Sequence, residues 1–367
     1  MRALLAVFLF ISAAALAQEV QSEKARFRVV TVASGLDRPW ALAFLPDGRM
    51  LVTEKPGRMR IVARDGTLSP PLAGVPVVAA QGQGGLLDVI VDREFATNRM
   101  ITFCYAEPGD GGAGTAVARA RLRENGLEDV TVIFRQQPKV AGGLHFGCRI
   151  VPARDGLLFV TLGERYNRDR AQDLAAHLGK VIRIRPDGTV PPDNPFVNRA
   201  GALPEIWSYG HRNPQGAALH PQTGKLWLHE HGARGGDEIN IPEAGKNYGW
   251  PVITHGIDYS GAPIGVGKAA PGMEQPRYFW VPSIAPSGMA FYTGDVFPMW
   301  KGNLFVGALA GQRLVRLELD GEVVRHEERL LGDLRERIRD VRAGPDGLLY
   351  VLTDNSNGRV LRLEPAR

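Results

Sequence analysis

The sequence predicts an all-β fold on three observations. After residue 17, no segment of the 367-residue chain sustains the 3.6-residue apolar period of an amphipathic helix. The chain contains 44 glycines and 26 prolines, which suits many short strands joined by turns. The third observation is a recurring unit: an apolar strand, a Pro/Asp/Gly turn, a second apolar strand and a third, alternating strand.

The recurring unit is clearest near the two ends of the chain. The first copy has candidate strands at 40–44, 50–54 and 59–62, and the last has them at 338–342, 348–352 and 359–363, each with a Pro-Asp-Gly turn. Four further copies begin at Leu86, Arg149, Gly216 and Gly288. Six repeats of roughly 40–50 residues predict a six-bladed β-propeller with four-stranded antiparallel blades. The alternative, a β-sandwich with long loops, has no reason to repeat its turn.

Residues 1–17 have the pattern of a secretory signal peptide. Arg2 supplies the positive end, an apolar stretch follows, and Ala-Leu-Ala at 15–17 fits a cleavage site. The alternative is a membrane anchor, but the stretch is shorter than the roughly 20 residues that a span needs. We therefore expect a cleaved signal peptide and a single propeller domain at 18–367. The mature chain would be periplasmic or secreted and would not span a membrane.

The net charge and the cysteine content argue against a nucleic-acid interface and against a structural zinc site. The formal net charge of +5 comes with no long basic run, so nucleic-acid binding has no support. Cys104 and Cys148 are the two cysteines. An exported chain could join them, but the sequence leaves their pairing open. Two cysteines are too few for a structural zinc site.

The candidate proton-transfer group is His145, in the glycine-rich segment 142–150 at the start of a predicted strand. A loop–strand junction can present such a group while a rigid scaffold holds it. The alternative is a histidine that closes a turn. A second glycine-rich segment, 81–87, contains Gln83 and allows close backbone approach.

Two further motifs offer donors to an anion. Arg212 and Asn213 stand just before a predicted strand, where a guanidinium suits a carboxylate or a developing oxyanion. A capped turn fixed by Pro214 is the alternative. Arg337 and Arg339 share one face of a predicted strand. At the centre of a propeller, that face would bind a polyanionic small molecule.

The segment 229–238 is rich in possible metal ligands. His229 and His231 would share a strand face and could form a transition-metal pair. The glycines that follow favour exposed backbone carbonyls, which calcium accepts. A polar strand end is the third possibility. The chain has no nucleotide-binding glycine fingerprint between a strand and a helix, and no serine or cysteine nucleophile motif.

Taken together, these motifs resemble the soluble pyrroloquinoline-quinone (PQQ)-dependent sugar dehydrogenases, the glucose/sorbosone dehydrogenase family, and especially its bacterial aldose sugar dehydrogenase branch. The likeness covers nearly all of the mature chain, and the motifs follow the family's order: 82–87, 145–149, 210–216, 237–240, 247–251, 337–340 and 352–354. The family's fold is a six-bladed propeller, which agrees with the repeat count.

The resemblance implies a quinoprotein that oxidises the anomeric C1 hydroxyl of an aldose sugar to a lactone. Hydride would pass to PQQ, and the electrons would then pass to an external acceptor. It implies His145 as general base and Arg212 as the second catalytic residue. The implied PQQ-binding residues are Gln83, Arg212, Asn213, His231, Arg337, Arg339 and Asp354. The implied Ca²⁺ ligands are the carbonyls of Gly232 and Ala233, with Glu238 and Tyr248 at a second, structural calcium.

Five residues depart from the family's pattern. Ala233 replaces a proline, which a backbone-carbonyl ligand tolerates, and His231 replaces a glutamine. Leu144 stands where the best-known glucose enzymes have aspartate, so a preference for glucose is not implied. Ala310 aligns with a lysine that binds the cofactor, and nothing in the sequence shows what replaces it. Cys148 stands where serine is usual, which favours a small packed residue over a bond to Cys104.

Two other functions are compatible with a propeller. A metal-dependent lactone hydrolase could use His145, Glu238 or His231 around an ion, but it would not need two arginines directed at an anionic cofactor. A non-catalytic sugar-binding propeller would need neither His145 nor Arg212.

Overall fold

The structure is a computed structural model that describes residues 18–366. The predicted signal peptide therefore lies outside the described residues. Within them, no helix has both the length and the apolar character needed to cross a bilayer.

Twenty-four strands account for most of the regular secondary structure in the described chain, and every pairing between them is antiparallel. In chain order they are β1 (Gln18–Gln21), β2 (Arg26–Leu36), β3 (Pro39–Phe44), β4 (Met50–Glu54), β5 (Arg58–Val62), β6 (Leu86–Val91), β7 (Met100–Gly109), β8 (Gly112–Leu122), β9 (Leu127–Arg135), β10 (Gly147–Pro152), β11 (Leu158–Leu162), β12 (Lys180–Ile184), β13 (Ile206–Tyr209), β14 (Pro214–Leu219), β15 (Leu226–Glu230), β16 (Asp237–Asn240), β17 (Tyr278–Trp280), β18 (Pro286–Phe291), β19 (Leu304–Ala308), β20 (Arg313–Asp320), β21 (Val323–Leu330), β22 (Ile338–Ala343), β23 (Leu349–Thr353) and β24 (Gly358–Pro365). One short helix, α1 (Phe95–Asn98), and three 3₁₀ turns, Arg168–Gln172, Pro298–Trp300 and Gly332–Leu334, complete the structure.

The strands form six sheets, and the predicted six-bladed propeller is confirmed. The innermost strands β3, β6, β10, β14, β18 and β22 contact one another in cyclic order. Each begins within two residues of the start of a predicted repeat. Four blades have four strands, whereas the first has three, β3 to β5. The last has five, because β2 pairs with β24 and β1 adds to β2.

Apolar side chains fill the space between neighbouring blades, because each sheet has two faces to bury. Trp227 of the fourth blade packs edge-on against Phe291 of the fifth, with ring centroids 5.6 Å apart. Leu36 of β2 packs with Leu42 and Val52 of the first blade, which joins the last blade to the first. The ring is therefore closed both by strand pairing and by apolar packing.

All six innermost strands share one irregularity. Each shows a register shift against its neighbour at or near its first residues. A bulge at this point bends the strand and redirects its side chains, and bulges are common beside active sites. In β22 the extra residue is Arg339, which lies between the paired positions Ile338 and Asp340. The bulges therefore lie at the end of the ring where the candidate site residues are found.

Four buried charges connect the innermost strands of three blades. Arg149 of β10 donates to Asp88 of β6 at 2.9 Å and lies 3.2 Å from Asp340 of β22. Arg342 of β22 reaches the same two carboxylates at 2.6 Å and 2.8 Å. The guanidinium of Arg149 also stacks over the ring of Trp40 at 4.5 Å. This group is called the central charge quartet below.

The two cysteines form a disulfide. Cys104 of β7 and Cys148 of β10 are bonded, with their Cα atoms 6.1 Å apart. The question that the sequence left open is thereby answered, and the expectation of an unbonded Cys148 is wrong. Both residues are fully buried between the second and third blades, where facing strands bring them together. The bond therefore ties the strand that follows His145 to the neighbouring blade.

Candidate active site

His145 lies in the loop that leads into β10, and its backbone is fixed on both sides. Its N–H donates to Oε1 of Gln83 at 2.9 Å, and its carbonyl accepts the N–H of Arg165 at 3.2 Å. A φ of 54° places this non-glycine residue in the left-handed region, which costs about 1–2 kcal/mol. The guanidinium of Arg165 holds the loop in this form by donating to the carbonyls of Leu144 and Gly142.

The imidazole of His145 is oriented by a carboxylate. Its Nδ1 lies 2.8 Å from Oε1 of Glu164, and both side chains are buried. Gly163 permits this approach, because a Cβ there would collide with the carbonyl of His145. The carboxylate makes Nδ1 the protonated nitrogen. Nε2 therefore keeps its lone pair, and it makes no hydrogen bond to any residue from 18 to 366.

Burial lowers the pKa of His145 below its usual value of 6.5. The hydrogen bond that His145 donates to Glu164 opposes this shift, while the positive charge of Arg212 adds to it. His145 is therefore neutral at neutral pH, which is the form that can accept a proton.

Three of the predicted cofactor residues adjoin His145. Asn213 accepts the N–H of Gly147 through Oδ1 at 3.1 Å, and its Nδ2 donates to Oε1 of Gln83 at 3.4 Å. The same Nδ2 lies 3.5 Å from Nδ1 of His231. The structure therefore brings His145, Gln83, Asn213 and His231 into one network.

Arg212 lies beside this network and is buried. Its Nη1 donates to the carbonyl of Gly232 at 2.5 Å and to that of His231 at 3.2 Å. Its backbone N–H donates to the buried carboxylate of Glu230. Its Nε is buried without a hydrogen-bond partner among the described residues. A buried donor without a partner is costly, so this guanidinium is poised to bind an anionic or carbonyl group.

A cavity of about 290 Å³ opens beside these residues. Glu164 and Arg212 line its floor, and Oε2 of Glu164 is buried without a hydrogen-bond partner in the described chain. Tyr166, Trp250 and Tyr259 form aromatic walls. The ring of Tyr166 lies 5.4 Å from that of His145. Tyr166 comes from the loop between β11 and β12, and Trp250 and Tyr259 come from the loop between β16 and β17.

Arg337 and Arg339 converge on one carboxylate, although Arg337 lies just before β22 and Arg339 is the bulged residue of that strand. Both guanidinium groups donate to Oδ2 of Asp354, at 3.2 Å and 3.0 Å respectively. Nη1 of Arg339 also donates to Oε1 of Gln215 at 2.8 Å, two residues after Asn213. Nε of Arg339 is buried without a partner within 18–366. A single carboxylate shared by two arginines leaves this cluster positively charged.

The residues expected to bind calcium have protein partners in this structure. The carbonyl of Gly232 accepts from Arg212, and Ala233 lines the cavity. The hydroxyl of Tyr248 donates to the carbonyl of Ile241 at 2.6 Å. The described residues contain no group of three or more His, Cys, Asp or Glu side chains arranged to hold a metal.

Glu238 has an unusual electrostatic environment. Burial raises its pKa well above the usual value, and the carboxylates of Glu230 and Asp237 raise it further. Its contact in the described chain is a hydrogen bond from Nδ2 of Asn240 at 3.1 Å, and no cation pairs with it there. A carboxylate in this setting would be stabilised by a bound cation.

The histidine pair at 229 and 231 does not form a transition-metal site. Nε2 of His229 is paired with the carbonyl of Ser287, and Nε2 of His231 lies 2.6 Å from that of Pro286. Burial lowers the pKa of His229 to about 3, so it stays neutral. Both rings hold the innermost strand of the fifth blade through its backbone.

A larger cavity, of about 460 Å³, lies at the opposite end of the innermost strands. Its one charged lining residue is Arg342, which is already paired with Asp88 and Asp340. This cavity offers no free proton-transferring group, so the smaller cavity beside His145 is the candidate active site.

Comparison with known proteins assigns the family. The family model described as Glucose / Sorbosone dehydrogenase matches residues 36–362. The chain belongs to the glucose/sorbosone dehydrogenase family. It is 49% identical to aldose sugar dehydrogenase YliI of Escherichia coli strain K12 over 98% of both chains.

Solved structures of this glucose/sorbosone dehydrogenase family share the fold. The soluble aldose sugar dehydrogenase of E. coli, in its apo form, superposes with a TM-score of 0.91 at 50% identity, covering 93% of this chain and all of that one. The PQQ-bound aldose sugar dehydrogenase of Streptomyces coelicolor superposes with a TM-score of 0.77 at 29% identity, covering 93% of this chain and 98% of that one.

The motifs of the glucose/sorbosone dehydrogenase family did not reveal every residue around His145. Sequence reasoning missed Glu164, Arg165 and Tyr166, which follow the apolar strand β11. A buried-strand end followed by adjacent acidic, basic and aromatic residues was a signal that could have found them. The sequence did not show that Glu164 would contact His145, because this contact depends on how the second strand of a blade returns beside the first.

The pH dependence of turnover tests the assignment of His145 as the general base. Because the pKa of His145 is lowered, kcat/KM should stay constant around neutrality and fall only below pH 6.5, as the imidazole is protonated. Glu164→Gln removes the interaction that raises this pKa, so it should lower kcat and move the acid limb to lower pH. Glu205→Gln, at the separate His177–Glu205 pair, is the matched control and should change neither. An acid limb above pH 7 would show that another group titrates.

Proposed function

We propose that this protein is a PQQ-dependent aldose sugar dehydrogenase, an oxidoreductase that converts the anomeric C1 hydroxyl of an aldose to the lactone. The observation that carries this proposal is the neutral His145, which Glu164 holds with Nε2 unpaired in the described chain, next to a cavity that Glu164 and Arg212 line. The electrons would pass to an external acceptor.

The residues present fit a flat polycarboxylate such as PQQ. Arg337 and Arg339 share one carboxylate, so the cluster has positive charge to spare for the cofactor's acid groups. Arg212, Asn213, Gln83 and His231 surround the space next to the base. Bound PQQ would supply an acceptor for the hydride that leaves C1.

The protein's own residues supply the rest of the chemistry. Nε2 of His145 accepts the proton of the C1 hydroxyl, and Glu164 holds the imidazole in the required tautomer and stabilises it once charged. Arg212 offers an N–H donor where negative charge develops. Tyr166, Trp250 and Tyr259 present aromatic surfaces to the apolar faces of the sugar and shield the site from water.

Calcium is part of this proposal, and the two predicted sites differ in how well they fit. Glu238, a partly buried carboxylate among other carboxylates, suits a divalent cation. At Gly232, a calcium ion would compete with Arg212 for the carbonyl oxygen.

Export to the periplasm or beyond the cell is also proposed. The segment 1–17 supports it, and so does the Cys104–Cys148 bond, since structural disulfides persist in oxidising compartments.

Reconstitution tests the proposed function. Apoprotein incubated with PQQ and Ca²⁺ should reduce an electron-accepting dye when glucose, galactose, xylose or maltose is added, and lactone should accumulate. A preparation that hydrolyses lactones but reduces no dye would favour the metal-dependent lactone hydrolase. Sugar binding without either activity would favour a binding propeller.

Chelation tests the calcium part separately. Removing the metal should abolish dye reduction and lower the melting temperature, because a ligand bound to the native state stabilises it. Added Ca²⁺ should restore both. Activity that survives exhaustive chelation would overturn the calcium assignment and leave the quinone assignment standing.

A further inference from the structure

Lys55 is a cation that none of the predicted motifs includes. It directly follows β4, the second strand of the first blade, and its side chain is partly buried. Its Nζ donates to the carbonyl of Gly82 at 2.6 Å. An ammonium group has three donors, and this hydrogen bond uses one of them.

Most of the charges that act on Lys55 are positive: they are the guanidinium groups of Arg339, Arg38 and Arg337, with Asp354 as the carboxylate. The backbone connects these segments, because the N–H of Lys55 donates to the carbonyl of Arg38, whose own N–H donates to the carbonyl of Asn355. Asp354 is already shared by Arg337 and Arg339, and no carboxylate in the described part of the chain lies within 4 Å of the Lys55 ammonium. Lys55 therefore adds a fourth positive charge to a group with one carboxylate. Like charges brought together without compensation favour the binding of an anion.

The position of Lys55 also depends on a glycine. A Cβ at Gly85 would collide with the carbonyl and Cγ of Lys55, and its φ of +144° is one that residues with side chains rarely adopt. The glycine-rich segment 81–87 therefore lets Lys55 lie close to the backbone at Gly85.

Lys55 is linked to the candidate base through three hydrogen bonds. It holds the carbonyl of Gly82, and the next residue, Gln83, donates its N–H to the carbonyl of Gly143 at 2.6 Å. Oε1 of Gln83 then accepts the N–H of His145. The lysine thus lies between the positive cluster and the loop that positions the base.

We infer that Lys55 is a third cofactor-binding cation: its ammonium bridges the Gly82 carbonyl and a carboxylate of bound PQQ, next to Arg337 and Arg339. The inference rests on the proposed function. It supplies a cation for a chain that has Ala310 where a lysine was expected. It also couples cofactor binding to the placement of Gln83 and His145.

The test measures PQQ binding to apoprotein in calcium buffer without sugar, by calorimetry or tryptophan quenching. Lys55→Met should weaken binding by about 10- to 100-fold, the range for a hydrogen bond to a charged group. Lys55→Arg should retain most of the affinity. Lys301→Met, at an exposed lysine paired with Asp295, is the matched control and should bind as the wild type does.

Ionic strength separates a charge contact from a structural role. If Lys55 meets a carboxylate, the difference between Lys55→Met and the wild type should shrink as salt is raised. A loss of equal size at low and high salt would mean that Lys55 only supports the loop, and would overturn the inference. Equal affinity of Lys55→Met and wild type would do the same while the proposed function stands. A wild type that binds no PQQ would overturn both.

Discussion

His145→Ala is expected to lower kcat by about 10²- to 10⁴-fold, the contribution of a positioned general base. The substitution removes an imidazole whose Nε2 has no hydrogen-bond partner in the described chain, while Glu164 and Arg212, which line the adjacent cavity, remain in place. Binding of PQQ should be unchanged, because the cations that would hold it lie elsewhere in the site. Single-turnover kinetics with a saturating aldose measure the effect.

Two controls make the His145 result specific. His326→Ala, at an exposed histidine paired with Glu23, should leave kcat unchanged. Added imidazole should restore part of the activity of His145→Ala, because the space left by the side chain opens on the cavity. Near-normal turnover in His145→Ala would remove this residue from the mechanism.

Asp88→Ala is expected to reduce the free energy of unfolding by about 3–5 kcal/mol, the cost of removing one partner from a buried ion pair. Asp88 is fully buried, and its carboxylate accepts from Arg149, Arg342 and the N–H of Ile150. Its loss leaves two buried guanidinium groups with Asp340 as their shared carboxylate. Urea unfolding followed by fluorescence measures the change.

Asp295→Ala is the matched control for the central charge quartet, because that carboxylate is exposed and pairs with Lys301 at the surface. It should cause no measurable change. Asp88→Asn, which keeps the shape and loses the charge, should be intermediate. A loss below about 1 kcal/mol for Asp88→Ala would show that water or backbone relaxation compensates the arginines.

The sequence was sufficient to predict the blades because the turn motifs that mark them are local. Pro46-Asp47-Gly48 and Pro345-Asp346-Gly347 mark hairpins within a few residues of the strands that they join. The pairing of β2 with β24 was not predicted, because it joins residues more than 300 positions apart and leaves no short-range pattern. The first repeat consequently has three strands of its own, not four.

The site was predictable where a motif marks each residue and not where a contact depends on the arrangement of strands and blades. Arg337 and Arg339 are two residues apart, so the period of a strand predicted a shared face, although Arg337 precedes β22 and Arg339 is its bulged residue. Glu164 lies in the same blade as His145, and only the return of β11 beside β10 brings the two together. Lys55 directly follows a strand of the first blade, and only the ring brings it to Gly82, before the second blade. The hydrogen bond that Arg212 donates to the Gly232 carbonyl could not be predicted either, since the sequence does not show where a carbonyl points.

The pairing of β2 with β24 also limits the order in which synthesis, folding and ligand binding can take place. β2 is among the first strands to be synthesised, and its partner is the last, so the early strand stays without its neighbour until the whole chain exists. Arg337 and Arg339, at the start of β22, arrive shortly before that partner, so a chain that still lacks β24 has neither a closed ring nor a complete cationic cluster. Under the proposed function, binding of PQQ would therefore follow the synthesis and folding of β24.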